Sequence, residues 1–276
     1  MSTTSNPFSA SRVRAVSAAA ERLRLAAECG VPCAPVRDLI GTDDLATAYD
    51  VQSAVAYARV AAGARVVGRK IGLTSEAVRQ QLGVDQPDLG ILFEDMQYAE
   101  GDTIPYSRLM QPRIEAEVAF VLKDDLADGD LTLEQVTAAV DYAVAAMEIA
   151  DSRIDGWDIT FGDTVADNAS AGVYVLGGER KWLDEFTPKD ITMRMTATGQ
   201  ADSTGTGAAC LGDPLLALQW LARQARELGN PLRAGQVVLS GALGPMRAVV
   251  PGATATAQIT GLGTVTVHFS KEQRHR

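Results

Sequence analysis

The stretch Pro112-Arg113-Ile114-Glu115-Ala116-Glu117-Val118-Ala119-Phe120-Val121-Leu122 constrains this chain more than any other. From Ile114 to Leu122 it reads as a strand, apolar enough to lie inside the molecule, yet it carries two acids. Side chains alternate along a strand, so Glu115 and Glu117 project from the same face. Neighbouring carboxylates in an apolar setting repel each other and cost desolvation energy. A solvated edge would relieve this, and so would a bound cation. Hard oxygen ligands suit Mg2+ or Mn2+, which keep water positions open for a substrate. Glu148, within Ala145-Ala146-Met147-Glu148-Ile149-Ala150, is a third acid in an apolar stretch. A buried lone glutamate is rare unless it is paired or ligating. The three acids could form a facial carboxylate site; pairing of Glu148 with an arginine such as Arg153 is the alternative.

Around that strand the pattern changes along the chain. Ser11 to Ala27 has helical spacing and is ended by Gly30 and Pro32. Asp43 and Asp44 open a second helical stretch that stops at Gly63. Arg65 to Thr74 reads as a β-branched strand, followed by a brief helix from Ser75 to Leu82 and a turn-rich loop from Gly83 to Gly90. Thr132 and Gln135 form a capping box for a helix expected to run through Ala146. Asp213-Pro214 is an N-cap and first-turn pair for a helix to Leu228, closed by Gly229. From Gln236 short strands alternate with Gly and Pro turns to Phe269, and the tail from Lys271 is expected to fray. Helices inserted singly among strands favour an α+β fold built on a β-sandwich or rolled sheet over a doubly wound parallel sheet. Residues 1–64 are read as a helical N-terminal portion and residues 65–276 as a β-rich domain, together one unit.

Composition excludes several classes. With 35 acidic against 25 basic residues the formal net charge is −10, which repels phosphate backbones, so nucleic-acid binding is not expected. Cys29, Cys33 and Cys210 form neither a disulfide framework nor, for want of a neighbouring Cys or His pair, a zinc site. Met1 to Ala10 has no apolar core of a secretory signal, and no apolar run approaches bilayer length. A cytoplasmic location is the expectation. His268 and His275, the only histidines, lie at the C-terminus, so a Ser-His-Asp or Cys-His arrangement lacks support. Gly261-Leu262-Gly263 is a turn without the third glycine of a dinucleotide loop, and no Walker loop is present.

Two further residues have chemistry to offer. Lys70 lies between hydrophobic residues and glycines in Val66-Val67-Gly68-Arg69-Lys70-Ile71-Gly72-Leu73-Thr74. Near a metal and desolvated, its pKa would fall toward the range useful for proton transfer; as an exposed strand lysine it would do nothing special. Asp88, after Pro87, is either a turn residue or part of a loop closing over a pocket.

Taken together, Gly68-Arg69-Lys70-Ile71-Gly72-Leu73-Thr74, Gln81-Leu82-Gly83-Val84-Asp85-Gln86-Pro87-Asp88 and Gln111-Pro112-Arg113-Ile114-Glu115-Ala116-Glu117 resemble the 2-keto-4-pentenoate hydratases. So do Asp163-Thr164-Val165-Ala166-Asp167-Asn168-Ala169-Ser170 and Gly241-Ala242-Leu243-Gly244-Pro245-Met246. These enzymes belong to the hydratase/decarboxylase branch of the fumarylacetoacetate hydrolase superfamily, and the likeness runs from about Arg37 to Phe269. The resemblance implies a mixed β-sandwich or roll with flanking helices, assembled as a homo-oligomer. It implies that Glu115, Glu117 and Glu148 hold Mg2+ or Mn2+, that Lys70 and Asp88 are catalytic, and that Ser170 and Ser240 line the substrate pocket. The implied reaction is hydration of 2-hydroxypenta-2,4-dienoate to 4-hydroxy-2-oxopentanoate in aromatic-compound catabolism. The rival readings are 4-oxalocrotonate decarboxylase, whose second substrate carboxylate would need a further cation such as Arg69, Arg113 or Arg153, and a non-catalytic partner subunit of such an enzyme. Association with a pathway decarboxylase is a further implied partnership. One departure is visible: Gly205-Thr206-Gly207-Ala208-Ala209-Cys210 has alanines where the family often shows Ser-Glu before the cysteine.

Overall fold

The computed structural model describes residues 7–75, 84 and 86–272. Helix α1 (Pro7–Cys29) ends where Gly30 takes a left-handed φ of 62° and its N–H reaches Ala26 O at 2.8 Å. Val16, Ala19, Ala20 and Leu23 form its buried stripe, which packs on α3 (Leu45–Ala61) through Ala48 and Val51. Asp44 caps α3 by accepting from Thr47 N at 3.0 Å, and the single-turn α2 (Arg37–Ile40) lies between the two. The brief helix expected over Ser75–Leu82 falls, beyond Ser75, outside the described residues, as do Gly83 and Asp85 of the loop after it and most of the tail.

Thirteen strands form two sheets among the described residues. In chain order they are β1 (Val66–Gly72), β2 (Asp88–Phe93), β3 (Gln97–Ala99), β4 (Thr103–Ile104), β5 (Arg113–Leu122), β6 (Val140–Ala150), β7 (Ala171–Leu176), β8 (Thr192–Ala197), β9 (Ser203–Thr206), β10 (Val237–Leu239), β11 (Arg247–Ala248), β12 (Thr254–Ile259) and β13 (Gly263–Phe269). The larger sheet has the order β2-β1-β10-β5-β6-β7-β3, with β11 paired on β5, and the smaller one β4-β13-β12-β8-β9. Pairing is mixed, with β1–β10, β3–β7 and β4–β13 parallel. The main core lies between the sheets, where Ile114, Ala116, Val118, Phe120 and Leu122 of β5 and Met147 and Ile149 of β6 meet Met193 and Met195 of β8, Ala257 of β12 and Val265 of β13. Remaining helices are α4 (Leu133–Ala138), α5 (Phe161–Ala166) and α6 (Pro214–Glu227), whose Ala217, Leu218, Leu221 and Ala222 enter the same core. The fold is therefore α+β, with helices flanking the mixed sheets. No described helix is long and apolar enough to cross a membrane.

One element differs from the sequence reading. The Thr132 capping box forms, yet α4 ends at Ala138 and Val140–Ala150 is strand, so the helix expected through Ala146 is half its length. Alanine and methionine make this run locally acceptable as helix, but its pairing with β5 over the whole length of both strands decides the outcome. Asp88, expected on a turn, is the first residue of β2.

Candidate metal and active site

Strand register alone brings the acids together. Glu115 is the direct partner of Glu148 across β5 and β6, so Glu115, Glu117 and Glu148 share one face of the larger sheet. On that face the register continues through β10: Ala119 opposes Leu239, and Leu239 opposes Lys70. Gly72, two residues beyond Lys70, opposes Asp88 on β2. Five of the predicted residues thus lie on one surface, each at most 5% exposed. Glycines make the room. A Cβ at Gly72 would lie 2.1 Å from Asp88 Oδ1, and one at Gly90 would meet Asn168 O at 2.6 Å and Lys70 Cγ at 3.2 Å.

The three glutamates offer one oxygen each within 4.8 Å of one another. Lys70 Nζ lies 3.1 Å from Glu148 Oε1, and Gly241 N donates to Glu117 Oε2 at 2.6 Å. Glu117 Oε1 and both Glu148 oxygens have no hydrogen-bond partner, the lysine contact being an ion pair without hydrogen-bond alignment. Orphaned buried carboxylate oxygens are costly, and converging ones suit a hard divalent cation. The arginine alternative for Glu148 does not hold: Arg153 pairs with Asp167.

Electrostatics tell the same story. Burial, then the Glu148 carboxylate, pushes Glu115 up to about 7. The same two causes, joined by Glu115, hold Glu117 well above the usual carboxylate range. Burial raises Asp88 despite the opposing Lys70 charge and hydrogen bonds from Thr164 and Gly72. Burial works against the Lys70 ammonium, but Glu148, Asp88, Glu115 and Glu117 together outweigh it and raise its pKa, the opposite of the fall expected from the sequence. The cluster has more negative charge than one lysine balances.

Ser170 is buried, and its Oγ lies 3.4 Å from Thr164 Oγ1, which is 3.4 Å from Asp88 Oδ2. Ser240, one residue past β10, is fully buried with no hydrogen-bond partner for its Oγ. Thr164 was not singled out from the sequence, although it lies in the Asp163–Ser170 motif. Nor was Tyr49 of α3, whose phenol is raised by burial and by the nearby Asp88 carboxylate. Of the arginines weighed as extra cations, Arg69 points to the opposite face from Lys70 by alternation. Arg153 is committed to Asp167, and Arg113 shares the acidic face of β5 but stacks 4.3 Å over Trp157.

The fumarylacetoacetate (FAA) hydrolase C-terminal family model matches residues 53–270. A TodF product hydratase of Pseudomonas putida strain F1 is 51% identical over 260 residues, covering 94% of this chain and 97% of that protein. A 2-keto-4-pentenoate hydratase of Paraburkholderia xenovorans strain LB400 is also 51% identical, over 92% of this chain and 95% of its own length. Among solved structures, 4-oxalocrotonate decarboxylase from Pseudomonas putida G7, complexed with magnesium and adipate, superposes with a TM-score of 0.88 at 33% identity, covering 94% of this chain and 98% of that one. The chain belongs to the fumarylacetoacetate hydrolase family and, within it, to the 2-keto-4-pentenoate hydratases, a family of hydro-lyases.

Proposed function

We propose that this enzyme hydrates 2-hydroxypenta-2,4-dienoate to 4-hydroxy-2-oxopentanoate in the breakdown of aromatic compounds, with Mg2+ or Mn2+ held by Glu115, Glu117 and Glu148. The observation that carries the reading is the face shared by these three acids with Lys70 and Asp88, in a chain half identical to named hydratases. A dication in this donor set would stabilise negative charge developing on a substrate oxygen. Lys70 holds a proton at Nζ among four carboxylates and delivers it toward the terminal carbon of the dienol, and the 2-hydroxyl's own proton passes to the amine so left. The product of that shift is an unsaturated ketone, to which water adds at the conjugated carbon. Asp88 orients that water or takes up its proton, a role its raised pKa suits. Ser170 and Ser240 supply polar contacts to the substrate.

Decarboxylation is the second reading, because the decarboxylase from Pseudomonas putida G7 shares the scaffold. Identity favours hydration, at 51% against 33%. Retention of the acids and Lys70 argues against a non-catalytic subunit. A homo-oligomer in the cytoplasm, with a pathway decarboxylase as candidate associate, completes the proposal.

An ultraviolet assay of the purified chain on 2-hydroxypenta-2,4-dienoate tests it. Loss of dienol absorbance that needs Mg2+ or Mn2+, is abolished by EDTA and yields 4-hydroxy-2-oxopentanoate is the expected result. Release of CO2 from 4-oxalocrotonate with no dienoate turnover would transfer the assignment to the decarboxylase.

A further inference from the structure

Strand β2 carries Asp88 and is the last strand of the larger sheet, paired only with β1. The outward backbone groups of such an edge need partners. Two carboxamides supply them. Gln52 Nε2, on α3, donates to Leu89 O at 2.9 Å and to Val165 O at 2.9 Å. Asn168 takes both groups of one residue: Ile91 N donates to its Oδ1 at 2.7 Å, and its Nδ2 donates to Ile91 O at 2.9 Å. The side chain thereby stands in for a neighbouring strand.

Asn168 also opens a strained turn. Asn168, Ala169 and Ser170 have φ of 56°, 50° and 53°, three successive left-handed residues with no glycine among them. Such a conformation persists only where its surroundings over-determine it. Arg153 holds the ends of the turn, donating to Asp167 O and, at 2.6 Å, to Ala171 O. The Asn168–Ile91 clamp holds the start. At the far end Ser170 meets Thr164, which meets Asp88.

We propose that Asn168 is a positioning residue: its carboxamide locks the strand that carries Asp88 to the turn that presents Ser170, so one side chain sets both. The proposal rests on the roles given above to Asp88 and Ser170. A carboxamide serves one residue's N–H and C=O together, accepting at Oδ1 and donating from Nδ2. An aspartate keeps the acceptor and sets a carboxylate oxygen against Ile91 O.

The test uses the full chain with Mg2+ and the dienoate, comparing Asn168→Gly, Asn168→Asp, Asp88→Asn and the Asn168→Gly/Asp88→Asn double variant. Glycine accepts a left-handed φ without strain, so Asn168→Gly removes the clamp without adding backbone strain at that position. Asn168→Asp preserves side-chain size if the glycine variant folds poorly. The expected result is a loss of roughly tenfold to a hundredfold in kcat/KM for both Asn168 variants, mostly in kcat, with Mg2+ affinity by calorimetry within about twofold of the parent. In the Asp88→Asn background the Asn168→Gly loss should shrink severalfold, leaving only the part that acts through Ser170. Near-parental kcat/KM for the Asn168 variants beside an impaired Asp88→Asn overturns the positioning role, as do fully additive losses. Near-parental turnover by Asp88→Asn itself removes the parent reading instead.

Discussion

The two faces of β5 are built from the same ten residues and obey opposite rules. One face presents Ile114, Ala116, Val118, Phe120 and Leu122 to the smaller sheet, in a core without a charge. The other presents Glu115 and Glu117, as deeply buried, beside Glu148 and a single compensating lysine. Area removed from water stabilises the first face at roughly 25 cal/mol per Å2. The second face costs stability in proportion to its uncompensated charge, which a fold tolerates where something else is bound there.

The largest effect that should separate the faces is Lys70→Met, expected to lower metal-dependent turnover by about two to four orders of magnitude while the metal-loaded protein keeps its fold. Near-normal kcat would remove Lys70 from proton transfer. Next comes Phe120→Ala on the apolar face, expected to cost about 3–5 kcal/mol in denaturant unfolding. Turnover per folded molecule should stay within about twofold, since the site lies across the sheet. A large loss of turnover in the folded fraction would mean that the faces are not separable.

Acidity distinguishes them further. A carboxyl whose folded pKa is raised binds its proton more tightly in the folded chain than in the unfolded one, so stability falls as pH rises between the two values. For Glu115 that window runs from 4.5 to about 7, with Glu117 and Asp88 shifted in the same direction. Metal-free protein in EDTA should therefore lose on the order of 2–3 kcal/mol between about pH 5 and pH 8, and saturating Mg2+ or Mn2+ should flatten the slope. Thermal unfolding across that range checks it; a slope indifferent to metal would mean that the acids are not its ligands. The smallest effect is a control on neither face. Thr132→Ala removes the cap of α4 and should cost about 1 kcal/mol at every pH, with activity unchanged.

How far these faces were legible before the structure follows from their physics. Period-two alternation sufficed to put Glu115 and Glu117 on one side, because that rule is local. Glu148 stands out by its apolar neighbours although the Val140–Ala146 part of its strand reads as helix, since Ala143–Ala146 satisfies either pattern until β5 pairs with it. Asp88 was read on a turn because Pro87 and Gly90 flank it, and only the register with Gly72 reveals an edge strand. Thr164 and Asn168 lay within a quoted motif, yet their use depends on partners 76 and 77 residues away, a distance over which spacing carries no information.

Strand order also has a consequence for biogenesis. The β5–β6 hairpin, bearing all three acids, can form as soon as the chain has emerged past Ala150. Lys70, though made earlier, is joined to that hairpin in the sheet through β10, whose Val237–Leu239 leave the ribosome well after it. Between the emergence of Ala150 and that of β10 the nascent chain thus has its acids in place while its balancing ammonium waits without a berth. A divalent ion held by those acids would offset their charge in such an intermediate before any substrate is met.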